Sequence, residues 1–260
     1  MPLNYDHLMS LKRTGDRFSY TDRETMLYAI GVGMSRDPYD EKELDYTFER
    51  GKLKTVASMA TVLQRIALLK DCGYDYTKVV HGEQRLTLHR PLEPEGELIV
   101  DSRVLSAFDK GAGKGAVINT ETAVRSGADN QPLYTLVSTT FARGDGGFGG
   151  PNGAGLEPHK IPERKPDLTA AAETRLDQAL LYRLNGDRNP LHADPALAKR
   201  VGFPVPILHG PAARSSRKSP STITPRSAAS TCVSPRPSIP GRRSSRTCGS
   251  TVLSSRSAAA

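Results

Sequence analysis

Four strand-like segments between residues 85 and 142 place the strongest constraint on how this chain can fold. They run over Arg85–His89, Leu98–Phe108, Ala116–Val124 and Leu133–Ala142. Turns rich in glycine or proline separate them, including Lys110-Gly-Ala-Gly-Lys-Gly. Apolar-rich segments bounded by such turns are typical of sequential hairpins. The pattern therefore predicts an antiparallel sheet whose strands are neighbours in the sequence.

Two stretches upstream of the strands carry helical spacing. Thr21-Asp-Arg-Glu has the spacing of a capping box, and the helix that it opens would place Met26, Leu27 and Ile30 on its apolar face. The second stretch runs from Val56 to Leu69, with apolar residues at helical intervals, and would end near Gly73. Long antiparallel strands around one buried helix describe an α+β hot-dog arrangement.

The segment after the last strand predicts a change in organisation. Gly144 to Gly155 is rich in glycine but lacks the Gly-Lys-Ser/Thr ending of a phosphate-binding loop, so a flexible connector is the favoured interpretation. A strand followed by a helix is predicted from Leu168 to Leu184. A second short helix begins after Asp194, which would cap it, with proline at its first position. The apolar positions of the first helix would be Leu176, Ala179, Leu180, Leu181 and Leu184.

The segment from Tyr182 to His192 concentrates the candidate chemistry. Asp187, Asn189 and His192 lie within six residues, and the proline after Asn189 favours an extended or turned backbone there. Such a backbone can direct an acid and an imidazole into one cleft, where both can transfer protons. Ile207-Leu208-His209-Gly210 is the second candidate part, because a glycine lets a ligand approach the backbone closely. For any one of these residues, a surface turn that carries a histidine by chance is the alternative.

The joint pattern resembles the MaoC-like hydratases, specifically the hydratase 2 family of (R)-specific enoyl-CoA hydratases, as in the hydratase domain of peroxisomal multifunctional enzyme type 2. The resemblance covers about residues 20 to 210 and implies a double hot-dog fold, in which the first repeat widens the acyl pocket and the second carries the chemistry. It rests on Tyr182-Arg-Leu-Asn-Gly-Asp-Arg-Asn-Pro-Leu-His192, Gly202-Phe-Pro-Val-Pro-Ile-Leu-His-Gly210, Val79-Val-His-Gly-Glu-Gln-Arg-Leu, Phe108-Asp-Lys-Gly and Gly146-Gly-Phe-Gly-Gly150.

The resemblance also implies a reaction, the reversible addition of water to trans-2-enoyl-CoA that gives (3R)-3-hydroxyacyl-CoA in fatty acid metabolism. Asp187 and His192 would handle the protons, with the division between acid and base left open. Asn189 would orient the water or the carboxylate, and the Gly210 N–H would stabilise the oxyanion. The reaction requires no metal or redox cofactor, and the sequence shows no motif for one. CoA is counted as part of the substrate. Substrate contacts are implied for His81, Gly82, Lys110, Arg188, Pro190 and Leu191.

Two of these substrate contacts have plain alternatives. His81 could be a surface histidine beside a turn, and Lys110 a solvated lysine in a hairpin. Composition by itself favours those readings over a role in binding CoA.

The predicted domain organisation ends in an unusual tail. Residues 1–150 would form the N-terminal repeat, 151–167 a linker and 168–210 the start of the catalytic repeat. Residues 211–260 hold fourteen Ser, eight Arg, seven Ala, six Pro and five Thr, with no acid. Such a composition predicts disorder. A shift of reading frame after Gly210 is favoured over a natural basic tail, because out-of-frame G/C-rich codons yield this mixture and the switch falls inside a motif.

A frame shift would leave the second repeat truncated. The alternative to an active hydratase is therefore a catalytically dead remnant that still binds CoA thioesters.

Charge and cysteine usage limit the partners that the chain can have. The last fifty residues hold nine of the 36 basic residues and no acid, so residues 1–210 carry 27 basic against all 28 acidic residues. This near-neutral body gives no electrostatic case for nucleic acid or membrane, and a nucleic-acid arm made of the tail is the weaker alternative. Three cysteines give no disulfide framework, and no apolar run is long enough for a membrane span. The sequence predicts a soluble, cytoplasmic protein that forms a homodimer if its second repeat folds.

Overall fold

A computed structural model of the chain describes residues 3–210 apart from 38, 65–67, 71, 76–77, 154 and 158–173. Five strands form one antiparallel sheet in the order β1-β3-β4-β5-β2. All four predicted strands are confirmed, although β2 begins six residues earlier than predicted. The strands are β1 Lys12–Tyr20, β2 Val79–Leu88, β3 Gly96–Asp109, β4 Ala116–Ser126 and β5 Pro132–Ala142.

Strand β1 was not predicted from the sequence. Within the described residues it lies at the edge of the sheet, paired with β3, and most of its residues are exposed. An exposed edge strand needs no alternation of apolar and polar residues, so the sequence carried no signal for it.

The five α-helices of the described residues are short, at ten residues or fewer. They are α1 Tyr5–Ser10, α2 Asp22–Gly31, α3 Glu41–Leu44, α4 Gln178–Tyr182 and α5 Pro195–Arg200, with 3₁₀ helices at Ala57–Thr61, Arg183–Asn185 and Pro190–His192. No helix in the described part of the chain is long and apolar enough to cross a membrane.

The capping box of α2 is confirmed, but its predicted buried face is wrong. The Glu24 carboxylate accepts hydrogen bonds from the Thr21 N–H at 2.9 Å and the Thr21 hydroxyl at 2.6 Å. Ile30, which was predicted to be apolar core, is exposed, whereas Thr25 and Tyr28 are buried. The Thr25 hydroxyl can be buried because it donates to the Pro94 carbonyl oxygen at 2.6 Å.

The predicted helix from Val56 to Leu69 is also wrong over the described residues. Only Ala57–Thr61 is helical, as a 3₁₀ turn, and Ile66 lies outside the described residues. The apolar spacing nonetheless marked core residues, since Met59 is buried and Leu63 packs against the same cluster. A short irregular segment over a sheet can bury such residues without a continuous helix, because tertiary packing overrides weak local propensity.

Two apolar clusters cover the two ends of the sheet. The first includes Tyr20, Tyr28, Val32, Met59, Leu92, Leu98, Val100, Val124, Leu133, Tyr134, Leu136 and Tyr182. The second includes Leu3, Leu8, Leu69, Cys72, Val104, Ala107, Ala116, Ile118 and Ala142. The middle of the sheet lies between these clusters.

The glycine-rich connector is held by one carboxylate and is not a free linker in its first half. Asp109 Oδ1 accepts the N–H groups of Gly111 at 2.8 Å and Gly147 at 2.7 Å, and Oδ2 accepts that of Gly149 at 2.9 Å. These backbone hydrogen bonds lower the pKa of Asp109. Gly147 and Gly149 have φ values of 91° and 81°, which glycine adopts without strain.

Helix α4 joins the candidate catalytic segment to the first repeat. Gln178 Nε2 donates to the Gly31 carbonyl oxygen at 2.5 Å, and a Cβ on Gly31 would lie 2.8 Å from Asn185 Nδ2. The predicted apolar face is largely wrong, because Leu176, Leu180 and Leu184 are exposed while Gln178, Ala179 and Tyr182 are buried. The predicted strand before this helix begins at Leu168, which lies outside the described residues. Most of the predicted linker lies outside them as well.

The predicted short helix after the motif is confirmed. Helix α5 spans Pro195–Arg200, and the Asp194 side chain accepts the Ala196 N–H at 2.8 Å as its N-cap.

We expect Asp109→Ala to lower the melting temperature by several degrees, because three backbone N–H groups lose their acceptor. Asp109→Asn should cost less, because its remaining carbonyl oxygen can still accept from Gly111 and Gly147. The Asp109 pKa is lowered in the folded state, so its stabilisation is present above the unfolded value of about 4 and is lost as the pH falls through the folded value. Thermal melts by circular dichroism at neutral and strongly acidic pH measure this difference.

The matched control is Glu49→Gln, which neutralises an exposed carboxylate elsewhere. Identical melting of wild type and Asp109→Ala at neutral pH would contradict the assigned role of the carboxylate.

Candidate active site

The chain turns sharply between α4 and the polar motif. Gly186 has a φ of 125°, and its N–H donates to the Arg183 carbonyl oxygen at 3.1 Å. Asn189 then has φ −53° and ψ 122°, and the 3₁₀ helix Pro190–His192 follows. The extended residue before proline is the conformation predicted from the sequence. This turn directs Asp187 and His192 toward the same side of the loop.

The hydrogen bond of His192 determines which of its nitrogens can act as a base. His192 Nδ1 lies 2.8 Å from the carbonyl oxygen of Ile207. A carbonyl oxygen can only accept, so Nδ1 carries the proton in the neutral ring. The lone pair is then on Nε2. The second sequence motif thus fixes the tautomer of the histidine in the first.

His209 packs directly on His192 and is almost fully buried. The two rings are stacked, with centroids 3.6 Å apart and planes inclined by 24°, and the Tyr182 ring lies 4.6 Å from His209 on a tilted plane. His209 Nε2 donates to the Asp187 carbonyl oxygen at 3.1 Å. His209 therefore contacts the backbone of the acid and the ring of the base at once.

Burial keeps the His209 ring neutral. Desolvation, with the adjacent His192 ring acting in the same direction, lowers the pKa of His209 to about 4. The Asp187 carboxylate, whose Oδ2 lies 3.9 Å from Nε2, acts in the opposite direction but does not overcome burial. Within the described residues, His209 Nδ1 has no hydrogen-bond partner. A neutral ring is the form that fits this stack, because two adjacent imidazolium ions would repel.

Asp187 and Asn189 are held by local backbone hydrogen bonds. Asp187 Oδ1 accepts the Asn189 N–H at 3.3 Å, and Asn189 Oδ1 accepts the Leu191 N–H at 3.0 Å. The Asp187 side chain remains about half exposed. The oxygen of Asn189 is therefore committed to the 3₁₀ turn, whereas its backbone orients the carboxylate.

The same three side chains are close enough to be considered as metal ligands. Asp187, His192 and His209 each offer one ligand atom, and these atoms lie within 4.8 Å of one another. However, His192 Nδ1 and His209 Nε2 already donate to backbone carbonyl oxygens. A metal would have to bind through His192 Nε2, an unpaired buried nitrogen of His209 and a half-exposed carboxylate.

His81 lies close enough to the motif for the charge of the Asp187 carboxylate to affect its pKa. His81 lies on β2, is exposed and lines a cavity; neighbouring protein atoms lower its pKa by desolvation, while the Asp187 carboxylate acts in the opposite direction. Gly82 follows it, and a Cβ there would lie 3.3 Å from the Thr139 carbonyl oxygen. The assignment of both residues to substrate binding remains a prediction.

The remaining predicted site residues lie around the motif or away from it. Arg188 and Pro190 are exposed and Leu191 is half-buried, while Gly210 is exposed directly after His209. Lys110 lies in the β3–β4 hairpin, and its N–H donates to the Gly115 carbonyl oxygen at 3.0 Å. In the part of the chain that the structure describes, no ion pair joins Lys110 to the motif.

His209 is the site residue that sequence reasoning did not single out. It stood inside the motif Ile207-Leu208-His209-Gly210, but only the glycine was assigned a role. Burial and ring stacking, neither of which a motif reveals, identify the histidine as part of the site.

Comparison with known proteins decides the family. A family model of the MFE-2 hydratase 2 N-terminal domain matches residues 18–144, and a model of the MaoC-like domain matches residues 158–216. The enoyl-CoA hydratase ChsH3 of Mycobacterium tuberculosis is 38% identical over 219 residues, which cover 81% of this chain and 74% of that protein. The chain belongs to the MaoC-like hydratase 2 family.

Two further likenesses support this membership in the hydratase 2 family. The peroxisomal enoyl-CoA hydratase 2 of Arabidopsis thaliana is 36% identical over 226 residues, covering 80% of this chain and 72% of that protein. The crystal structure of a MaoC-like dehydratase from Phytophthora capsici superposes with a TM-score of 0.74 at 28% identity, covering 93% of this chain and 86% of that one. The predicted α+β hot-dog class is thereby confirmed.

We expect His209 to make this hydratase 2 chain acid-sensitive. Its folded pKa of about 4 lies below the ordinary value of 6.5, so below that value the unfolded chain binds a proton that the folded chain excludes. The stabilisation is complete above pH 6.5 and is lost as the pH falls toward 4. His209→Gln keeps a donor for the Asp187 carbonyl oxygen but removes the titration. Its melting temperature should fall less than that of wild type between neutral and mildly acidic pH.

The control for this comparison is His7→Gln, which replaces an exposed histidine in α1. Its acid sensitivity should match that of wild type. An unchanged acid sensitivity in His209→Gln would show that the buried ring is not responsible.

Proposed function

We propose that this protein is an (R)-specific 2-enoyl-CoA hydratase, which adds water reversibly to trans-2-enoyl-CoA. The observation that carries the proposal is the hydrogen bond from His192 Nδ1 to the Ile207 carbonyl oxygen, which leaves Nε2 as a base beside the Asp187 carboxylate. Two hydratase-named relatives, at 36–38% identity over most of their length, support the same chemistry. The acyl-CoA thioester is the proposed substrate.

In the proposed reaction, one water is held between Asp187 and His192. His192 Nε2 accepts one of its protons while the oxygen bonds to C3 of the enoyl thioester, and the imidazolium then returns that proton to C2. The Asp187 carboxylate accepts a hydrogen bond from the second O–H of the water and fixes its direction. One water is consumed, and the protein ends in the protonation state in which it began.

The negative charge that develops on the thioester oxygen needs a donor. The N–H of Gly210, an exposed residue, is proposed for this role, and within the described residues nothing lies within 4 Å of a Cβ placed there. Removal of one such donor costs about 3–4 kcal/mol of activation free energy in other enzymes. The substrate contacts implied for His81, Gly82, Lys110, Arg188, Pro190 and Leu191 remain part of this proposal.

The test of the function is product analysis. The purified chain is incubated with trans-2-enoyl-CoA thioesters of several chain lengths, and the hydrated product is resolved on a chiral phase. The (3R) isomer is expected. An (S) product, or binding and hydration of no chain length, would refute the proposal.

We expect His192→Gln and Asp187→Asn each to lower kcat by about 10²-fold or more, with a smaller change in KM, because the group that transfers the proton and the group that orients the attacking water act mainly in the transition state. Steady-state kinetics measure both constants. Asp194→Ser is the control, because it changes an acid in the same segment but retains a side chain that can cap α5. A near-normal kcat in either site variant would assign that residue a structural role only.

The proposed chemistry needs no metal. Dialysis against a strong chelator, followed by confirmation of metal loss by elemental analysis, is expected to leave turnover and thioester binding unchanged. Loss of activity that returns on addition of one divalent cation would instead assign the Asp187, His192 and His209 cluster to metal binding.

A second candidate function is a binding protein for CoA thioesters without turnover. The observation in its favour is a row of exposed leucines, Leu176, Leu180 and Leu184, along the segment that leads into the motif. Apolar side chains at this spacing usually pack against another element. Their exposure is what a truncated second repeat would leave. Such a repeat would hold the catalytic residues too loosely for turnover, while the first repeat could still bind the thioester. Saturable thioester binding without hydration of any chain length would select this candidate over the active hydratase.

Two further properties stand as proposals from the sequence. Cytoplasmic location and assembly as a homodimer, if the second repeat folds, are both expected. Cell fractionation and light scattering of the purified chain test them.

A further inference from the structure

A cavity of about 600 Å³ lies over the inner face of the sheet. Strands β2, β3, β4 and β5 form its floor, and Thr61, Gln64 and Tyr74 contribute to the opposite wall. Cavities of this size accommodate small organic ligands or part of a larger one. Its floor is the middle of the sheet, between the two apolar clusters.

The residues of β4 that face the cavity change character in the middle of the strand. Ala116 and Ile118 are buried in the second apolar cluster, and Val124 is buried in the first. Between them, Thr120 and Thr122 line the cavity. The core-facing positions of a strand are normally apolar along its whole length. Threonine at two consecutive inward positions is therefore unusual, and burial of a core does not explain it.

The neighbouring strands repeat this change at the same level of the sheet. On β5, Ser138 and Thr140 line the cavity, and Ser138 is paired with Thr120. On β3, Ser102 lines it and is paired with Thr122. These five residues, which we name the hydroxyl belt, are Ser102, Thr120, Thr122, Ser138 and Thr140.

Part of the hydrogen-bonding capacity of the hydroxyl belt is unused. The Ser102 and Thr122 hydroxyls bond to each other at 3.0 Å, and the Thr120 hydroxyl lies 3.5 Å from the Ser138 carbonyl oxygen. Within the described residues, the Ser138 and Thr140 hydroxyls have no hydrogen-bond partner, and both line the cavity. A ligand with oxygen atoms could bond to them, whereas a hydrocarbon chain would remove their water without replacing it.

Two residues that line the cavity, His81 and Thr61, lie near the candidate active site. His81 lines the cavity and is within the field of the Asp187 carboxylate. Thr61 lines the opposite wall and lies near Tyr182, whose ring lies 4.6 Å from His209. A thioester held at Asp187 and His192 can therefore extend its acyl group toward the hydroxyl belt.

We propose that the hydroxyl belt selects acyl groups that carry hydroxyl or oxo substituents away from the thioester, so that the preferred substrates are oxygenated acyl-CoA thioesters and not plain alkyl ones. The proposal rests on the proposed function and extends it to the class of acyl group. It depends on donors and acceptors that project from three adjacent strands at one level of the sheet.

Equilibrium binding of saturated acyl-CoA thioesters tests the proposal without requiring turnover. Isothermal titration calorimetry compares pairs of equal chain length, in which one member carries a hydroxyl or oxo group at successive positions of the distal half. We expect at least one oxygenated member to bind about tenfold more tightly than its alkyl counterpart, which corresponds to one or two added hydrogen bonds. The double variant Ser138→Ala/Thr140→Val, which removes both unpartnered hydroxyls, should abolish this preference with little change in cavity shape.

Thr87→Val is the matched control, because Thr87 alternates with Leu86 and Leu88 and lies on the other face of β2. The control should retain the full preference. Circular dichroism melts show whether each variant folds. The ligand series measured on the wild type tests the preference even if a variant does not fold.

The acyl-group preference and the hydratase function can fail separately. If alkyl thioesters bind as tightly as every oxygenated member, or if the double variant retains the preference, the hydroxyl belt does not select the acyl group, although the hydratase proposal stands. If no acyl-CoA thioester binds more tightly than CoA itself, the proposed function fails and this inference fails with it.

Discussion

The packing of α4 against α2 is the contact on which the candidate site depends. The Tyr28 and Tyr182 rings meet with centroids 5.8 Å apart, and Gly31 leaves room for Asn185 beside them. Both tyrosines belong to the apolar cluster that covers one end of the sheet. The segment that carries Asp187 and His192 is thereby anchored to the core of the first repeat.

Rigidity at the site comes from backbone carbonyl groups more than from side-chain pairs. The Ile207 carbonyl oxygen orients His192, and the Asp187 carbonyl oxygen holds His209. Carbonyl groups do not titrate, so both restraints persist across the pH range in which imidazole changes charge. A base oriented in this way keeps one nitrogen available for chemistry while the other is fixed.

The sheet combines two requirements that conflict on a single surface. Its two ends are apolar and bury the clusters that stabilise it, whereas a cavity lies open between them. The inner faces of β3, β4 and β5 meet both requirements by placing hydroxyl residues only where the cavity lies. Hydroxyl residues on the cavity floor can form hydrogen bonds with water or a ligand, which apolar side chains there could not do.

Local patterns allowed much of the fold to be predicted from the sequence. The four strands of 85–142, the capping box at Thr21 and the N-cap at Asp194 were predicted because strand alternation, turns and caps are encoded by neighbouring residues. The motif from Tyr182 to His192 likewise predicted that an acid and an imidazole would lie together. Edge strand β1 escaped prediction because its exposed residues carry no alternation.

Contacts between distant residues decided the rest. Gln178 bonds to Gly31 across 147 positions, which buries one face of α4 and exposes the leucines that spacing alone had assigned to the core. The Asp109 carboxylate gathers glycine N–H groups about forty positions away, which no local propensity for flexibility could reveal. The tautomer of His192 and the neutral state of His209 likewise depend on which carbonyl groups and rings surround them. The sequence determined which residues form strands and caps, and only tertiary packing decided which faces are buried and which nitrogen is free.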